Sequence, residues 1–402
     1  MRGMNGKYPK GPSHRLAPRM QHIQPFHVMD LLARARALEA AGREIIQLQI
    51  GEPDFPTPEP VRERAARVLQ QDPIHYTPAL GLPVLRAAIA RHYAEAEGVE
   101  VAPERIVVTP GSSAGLQLVL AALVGRDDNV LMGDPGYPCN SNFVHLFEGR
   151  VIAVPTRPED GFQPTPALLE QHADAGARVL LLASPANPTG SVLGEAALRA
   201  LIDWAESRGI VVVMDEIYRG LFHGSDRPPT ALTCSDELFV VNSFSKYYGM
   251  TGWRVGWVVA PEWAVEPLDR LAQNMYLSAP TLAQQAALAA FEPETLEILE
   301  QRRAEFTRRR DFLLPKLEAL GFRIPVVPDG AFYLYADCSR FSRDSSRFVL
   351  DLLEQAGVAI TPGRDFGTHR ADTFVRFACT RPVPVLKKAV ECIAEHLANP
   401  GR

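Results

Sequence analysis

Lysine is almost missing from this chain. Of the 42 basic residues, 36 are arginine and 6 are lysine, and a single lysine, Lys246, lies between Lys10 and Lys316. Arginine supplies positive charge and hydrogen bonds, often better than lysine does. It cannot supply a primary amine that loses its proton and condenses with an aldehyde, so a Schiff-base lysine is one of the few roles closed to it. From composition alone, Lys246 reads equally well as a survivor on a solvated face. Its neighbours decide between the two.

Other scarcities set limits. The five cysteines are odd in number, widely spaced and form no CxxC pair, which fits a reduced cytoplasmic protein better than a disulfide scaffold. No apolar run approaches the ~18–20 residues needed to span a bilayer. The net charge of −5 offers no general reason to expect nucleic-acid binding. The first 29 residues contain Arg2, Lys7, Lys10, Arg15 and Arg19 and no acid, but Gly3, Gly6, Pro9, Gly11 and Pro12 break any amphipathic helix. A flexible tail over 1–20 is expected, with Met4 and Met20 as alternative starts.

With 402 residues, 46% of them hydrophobic and 22% charged, the chain has the makings of a soluble globular protein of two or more domains. Between about 104 and 260, short apolar runs alternate with helical or polar stretches. The runs are Arg105–Thr109, Asn129–Met132, Arg150–Pro155, Arg178–Ala183, Ile210–Met214, Leu238–Asn242 and Val255–Ala260. Nearly continuous apolar runs read as strands buried on both faces. With helices at Ser113–Leu123 and Glu195–Ser207, they predict an α/β fold with a mostly parallel seven-stranded sheet flanked by helices. The ends differ. Residues 265–320 read as helical, with Pro293 a break or a helix start. Strands at Phe322–Val327, Phe332–Ala336, Val358–Thr361 and Thr373–Phe377 and helices at Ser346–Ala356 and Val385–Leu397 follow. They predict a smaller α+β domain formed by both chain ends. The expected division is 21–60 packing on the small domain, 61–295 as the large domain and 296–402 as the small one.

Four turns follow strands. The first is Ser243-Phe-Ser-Lys-Tyr-Tyr-Gly-Met-Thr-Gly-Trp-Arg254, at a strand's carboxyl end, where open α/β sheets bind ligands. Two hydroxyls, an amine and a guanidinium suit a phosphate-bearing aldehyde: Ser243, Ser245 and Arg254 grip the phosphate and Lys246 forms the imine. The second is Met214-Asp215-Glu216-Ile217-Tyr218. A carboxylate at the end of a buried strand is costly unless paired. A protonated pyridine nitrogen would be a partner, with Tyr218 in reach of a ring oxygen, but a helix N-cap explains Asp215 in isolation as well. The third, Ser184-Pro-Ala-Asn187-Pro-Thr-Gly190, holds Asn187 forward and is by itself a generic turn. The fourth, Thr109-Pro-Gly111-Ser-Ser-Ala-Gly, is either an anion site on helix amides or a plain helix start.

Together these motifs resemble the fold-type I pyridoxal-phosphate aminotransferases, class I/II, of the aspartate aminotransferase superfamily. The resemblance spans nearly all of 22–397. It rests on Ser-x-Ser-Lys246 with Arg254 eight residues on, and on the order Gly51-Glu-Pro-Asp-Phe, Tyr76-Thr-Pro-Ala-Leu-Gly, Gly111-Ser-Ser, Asn187-Pro-Thr-Gly, Asp215-Glu-x-Tyr218, Lys246 and Val375-Arg376-Phe377. It implies pyridoxal 5'-phosphate as cofactor, no metal, and catalytic roles for Lys246, Asp215 and Tyr218. Lys246 would carry the cofactor as an imine and shuttle the proton, its pKa lowered by burial and Arg254. Asp215 would pair with the pyridine nitrogen, and Tyr218 and Asn187 with the ring oxygen. Tyr137 would stack on the ring. Ser112, Ser113, Ser243, Ser245 and Arg254 would hold the phosphate, with Tyr76 reaching it from a second subunit of a homodimer. Arg376, helped by Gly51 and Asn187, would clamp the substrate carboxylate.

The expected reaction is ping-pong transfer of an amino group from an L-amino acid to a 2-oxo acid, 2-oxoglutarate or pyruvate, in the cytoplasm. The alternatives are a carbon–sulfur β-lyase, a decarboxylating synthase, and a non-catalytic cofactor-binding regulator. The last lacks room before residue 22 for a DNA-binding domain. Gln273–Ser278 and Phe26–Met29 read either as pocket walls or as domain packing.

Overall fold

A computed structural model describes residues 16–398 apart from 24, 26, 72 and 175. Most of the expected tail and Phe26 therefore lie outside the described residues. From Leu16 onward the chain is described, and Pro18–Gln21 form a 3-10 turn.

A short strand, β1 (Ile46–Gln47), precedes the main sheet. That sheet comprises β2 (Ile106–Thr109), β3 (Asn129–Asp134), β4 (Arg150–Pro155), β5 (Ala177–Ala183), β6 (Val211–Asp215), β7 (Phe239–Ser243) and β8 (Gly256–Val259). Their spatial order is β2-β8-β7-β6-β5-β3-β4, and the sheet is seven-stranded as expected. β8 runs antiparallel to β2 and β7, and the other pairings are parallel. The apolar runs are continuous because each strand feeds two cores. Leu180, Leu182, Val212, Met214 and Val240 pack on one face, and Val179, Leu181, Val213, Phe239 and Val241 on the other.

The reversed strand explains the motif at Lys246. Parallel neighbours need a long crossover, whereas antiparallel ones can be joined by a direct loop. The chain leaves β7 at Ser243, returns into β8 at Gly256, and so keeps Ser245, Lys246 and Arg254 at one edge. β2, β3, β5, β6 and β7 share one direction. The turns after them therefore collect at that edge too.

The chain ends form the smaller α+β part. β9 (Tyr333–Asp337), β10 (Val358–Ala359), β11 (Thr361–Pro362) and β12 (Phe374–Ala378) make two sheets. In one, β1 pairs parallel with β10; the other has the antiparallel order β11-β12-β9. The Leu48 carbonyl accepts the Ala378 amide at 2.9 Å, stitching the first segment onto the last. Helices Pro293–Leu320 and Val383–Ala398 cover this part, and Pro293 is a helix start.

Two expectations fail here. Phe322–Val327 is not a strand, and its ladder is reduced to one bridge, Arg323 to Asp337. Pro325 has no amide to donate, and Pro328 follows closely. Val358–Thr361 divides at Ile360 into strands of two different sheets.

Candidate active site

Lys246 sits where the two parts meet. Its Nζ donates to the Gly51 carbonyl at 2.6 Å. Burial pushes its pKa down to about 8, with Arg376 and Arg254 adding to the fall and Glu52 and Asp215 opposing it. The expected influence of Arg254 is present, and Arg376 joins it. Arginine could not reproduce this site, because it stays protonated however it is buried.

On one side of Lys246 lies a compact cradle. Ser112 and Ser113 open the helix Ser112–Leu123, whose first turn has no side-chain cap, so its amides face outward from the helix end. Gly111, at φ 82°, precedes it, and a Cβ there would stand 2.4 Å from Nη2 of Arg254. Glycine is therefore required twice over, for its backbone and for its closeness to the guanidinium. Arg254 itself is left-handed at φ 55° and donates to the Thr251 carbonyl at 2.8 Å. Its Nη1 is 3.5 Å from the Ser245 hydroxyl. The Ser243 hydroxyl accepts the Ser245 amide at 3.0 Å and lies 2.9 Å from the Ser245 hydroxyl. Helix amides, hydroxyls and a guanidinium in one concavity are the donor set for a phosphate dianion.

On the floor lies Asp215, 5% exposed. Its Oδ1 accepts the Ile217 amide at 3.0 Å. The following residues form a turn rather than a helix, so the N-cap alternative reduces to this one local bond. Burial pushes the carboxyl up to about 6, and Lys246 only partly offsets it. A cationic ring nitrogen would relieve that cost. Glu216 beside it is also buried, but is satisfied by the Thr230 hydroxyl and the Ala231 amide. With the lysine amine, this buried acid and the anion cradle, the residues fit pyridoxal phosphate.

A second guanidinium acting on Lys246 is that of Arg376, 4% exposed. Its Nη1 donates to Asn187 Oδ1 at 2.7 Å and its Nη2 to the Gln49 carbonyl at 2.6 Å, with Thr361 Oγ1 at 3.3 Å. Its Nε is buried without a hydrogen-bond partner among the described residues. The guanidinium lies 4.2 Å from the ring centroid of Tyr333 and 4.8 Å from that of Phe366. A surface ion pair does not describe this residue. Its hydrogen-bond partners are neutral; the buried carboxylate of Asp365 is near enough to interact with it but does not bond it, which leaves room for a substrate carboxylate at the guanidinium.

Asn187 thus turns its oxygen to Arg376. Tyr218 is buried, with its hydroxyl 2.7 Å from that of Tyr333. Tyr137 follows the cis peptide Asp134–Pro135 and is hydrogen-bonded with Cys139. Tyr137 and Asn187 line a small pocket open to solvent, with Gly133, Asn140, Phe162 and Gln163. No charged side chain lines it.

Tyr76 is the predicted residue this chain does not bring in: it is 81% exposed. Gln273 and Asn274 also lie outside, bonded to Asp269 and the Arg270 carbonyl on their own exposed helix face. Tyr333, Gln49 and Thr361 escaped sequence reasoning. Gln49 stands beside the Gly51 motif and Tyr333 inside the expected strand Phe332–Ala336, but nothing local in the chain announces their contacts.

Residues 43–393 match the family described as aminotransferase class I and II. The chain is 39% identical to the valine–pyruvate aminotransferase of Mycobacterium tuberculosis, over 94% of this chain and 97% of that one. It is 34% identical to the aspartate/prephenate aminotransferase of Thermus thermophilus, over 96% and 99%. Among solved structures, an aminotransferase from M. tuberculosis superposes with a TM-score of 0.93 at 39% identity, covering 96% of this chain and 99% of that one. The T. thermophilus aspartate aminotransferase with maleate gives 0.90 at 34% identity, covering 94% and 99%. Sequence, fold and relatives agree that the chain belongs to the class I and II aminotransferases, pyridoxal-phosphate-dependent enzymes that move an amino group from an amino acid to a 2-oxo acid.

Proposed function

We propose that this aminotransferase works through Lys246 on amino donors with uncharged side chains, with pyruvate as an acceptor. The observation that carries the first half is the amine of Lys246, the one lysine among the described residues that is not exposed, whose pKa burial pushes down to about 8 with Arg376 and Arg254 adding to the fall. Bound here, pyridoxal phosphate would supply the aldehyde that captures the substrate amine and the cationic ring that accepts an electron pair. Asp215 would keep that ring protonated. Tyr218 and the Asn187 amide would hold its oxygen, Tyr137 its face, and Ser112, Ser113, Ser245 and Arg254 its phosphate. Ser243 would act at one remove, by orienting Ser245. Arg376, with Gly51 and Asn187 beside it, would fix the substrate α-carboxylate. That clamp sets the α-carbon near Lys246 Nζ, which removes the α-proton as general base and returns it as general acid. The first 2-oxo acid leaves before the second enters, as a single carboxylate clamp requires.

The naming of the M. tuberculosis relative for valine and pyruvate supports a neutral side chain. The homodimer rests on exposed apolar surface around Tyr76. Ile74, Met275 and Leu277 are 45%, 42% and 45% exposed, and Thr281 and Gln284 bond the His75 carbonyl and Thr77, drawing those segments together. A second copy covering this surface would carry Tyr76 to its neighbour's phosphate cradle. Residues 61–295 would form the large domain, and 21–60 with 296–402 the small one, although a border at 295 falls inside the helix Pro293–Leu320. No helix among the described residues is long and apolar enough to cross a membrane, and all five cysteines are free, which supports a cytoplasmic setting.

The test is the visible spectrum of the protein loaded with pyridoxal phosphate, as single L-amino acids are added. L-valine or L-alanine should bleach the yellow band, and pyruvate should restore it. Bleaching by L-aspartate or L-glutamate alone would reject the neutral donor. A band that no amino acid moves would reject transfer by this site.

A further inference from the structure

Tyr333 opens β9 and is 1% exposed. Three neighbours make it unusual. Its hydroxyl lies 2.7 Å from that of Tyr218. Its ring carries the Arg376 guanidinium at 4.2 Å. Its hydroxyl also crowds Gly51, where a Cβ would stand 2.0 Å away, and Gly51 is the residue whose carbonyl accepts Lys246. One side chain thus bridges the ring-oxygen donor, the carboxylate clamp and the lysine's acceptor. Phe366 also lies against Arg376 but has no hydroxyl to offer.

We propose that Tyr333 is a positioning residue: its hydroxyl turns the Tyr218 proton toward the cofactor's ring oxygen, and its ring face holds Arg376 for the substrate carboxylate. This rests on the assignment of Lys246, Tyr218 and Arg376 made above. Two phenols sharing one hydrogen bond need one to donate. Either hydroxyl can donate in the free chain. Once Tyr218 donates its proton to a bound ring oxygen, its own oxygen can only accept, so Tyr333 becomes the donor. Donation from Tyr218 to the ring oxygen weakens that oxygen's hold on the proton it shares with the lysine-linked nitrogen. A stronger donor therefore lowers the pH at which the visible band changes colour.

Tyr333→Phe removes the hydroxyl and keeps the ring, whereas Tyr333→Leu removes both. In the loaded enzyme, both should raise the colour-change midpoint by roughly 0.5–1 pH unit, the worth of one hydrogen bond. Phe should leave KM for the amino donor within about twofold, and Leu should raise it about fivefold, the worth of one cation–π contact. An unmoved midpoint in Tyr333→Phe overturns the hydroxyl's role, and equal KM changes in the two variants overturn the ring's. If Tyr333→Leu does not fold, the midpoint and KM of Tyr333→Phe decide. A wild-type protein that takes up no cofactor fails differently, by removing the underlying assignment.

Discussion

The two sides of the site are built on opposite plans. The phosphate side comes from short stretches at 111–113 and 243–254, and its groups satisfy one another: Ser243 bonds Ser245, and Arg254 bonds Thr251. Its unusual backbone, at Gly111 and Arg254, is fixed by the strands that flank it. The carboxylate side gathers residues 49, 187, 333, 361 and 376 from across the chain, around a buried cation with neutral partners and an unbonded Nε. The first side is pre-shaped by its own hydrogen bonds, with the uncapped helix amides at Ser112 and Ser113 left for a ligand. The second keeps an unbonded guanidinium Nε, and its neighbouring acid, Asp365, does not bond it, so a substrate carboxylate can. A permanently held cofactor suits the first plan, and a substrate that must come and go twice per cycle suits the second.

The sharpest way to break this division is to disable each side and look for damage on the other. Lys246→Ala should lower turnover by at least about 10⁴-fold, since it removes both the nucleophile and the general base. The same variant should bind a simple carboxylate inhibitor within about threefold of wild type, because the Arg376 contacts do not pass through Lys246. Arg376→Lys comes next. It keeps the charge and loses the planar fork, so kcat/KM should fall about 10²-fold, while pyridoxal phosphate affinity stays within about twofold. Loss of carboxylate binding in the first variant, or of cofactor in the second, would show that the two sides are one unit.

The same division explains what could be read in the sequence. The seven strands were legible because each is a local apolar run. Lys246 and Arg254 were legible because an antiparallel return keeps them within one loop. The partners of Arg376 were not, since Gln49 and Thr361 reach it only through the pairing of β1 with β10 and of β11 with β12. Long-range pairing leaves no spacing to recognise. The chain order of the family pointed to Arg376, but a strand arginine by itself looks like a surface residue. Tyr333 reads locally as one more core aromatic in Phe332–Tyr335. The failed strand at Phe322–Val327 is a local error of another kind, an apolar run taken at face value despite Pro325.

The smallest expected effect concerns Asp215 and sharpens the contrast from the cofactor side, where one group is left in deficit. Its folded pKa, about 6, lies above the ordinary value of 3.8, so the folded chain holds this proton more tightly than the unfolded one. The stabilisation is fully present below pH ~4 and is lost as pH rises through ~6, a change of order 3 kcal/mol. For a chain of this size that is roughly 3–4 °C in melting temperature. Many carboxylates titrate over the same range, so the quantity to measure is the melting temperature of cofactor-free wild type minus that of Asp215→Asn. Asparagine keeps an acceptor for the Ile217 amide and removes the titration. The difference should fall by a few degrees between pH 4 and 6. With pyridoxal phosphate bound, a cationic ring beside Asp215 would draw its pKa back down, and the fall should vanish or reverse. A difference that is flat without cofactor would mean that Asp215 is already compensated within the chain, and that the cofactor side is as self-sufficient at its floor as in its phosphate cradle.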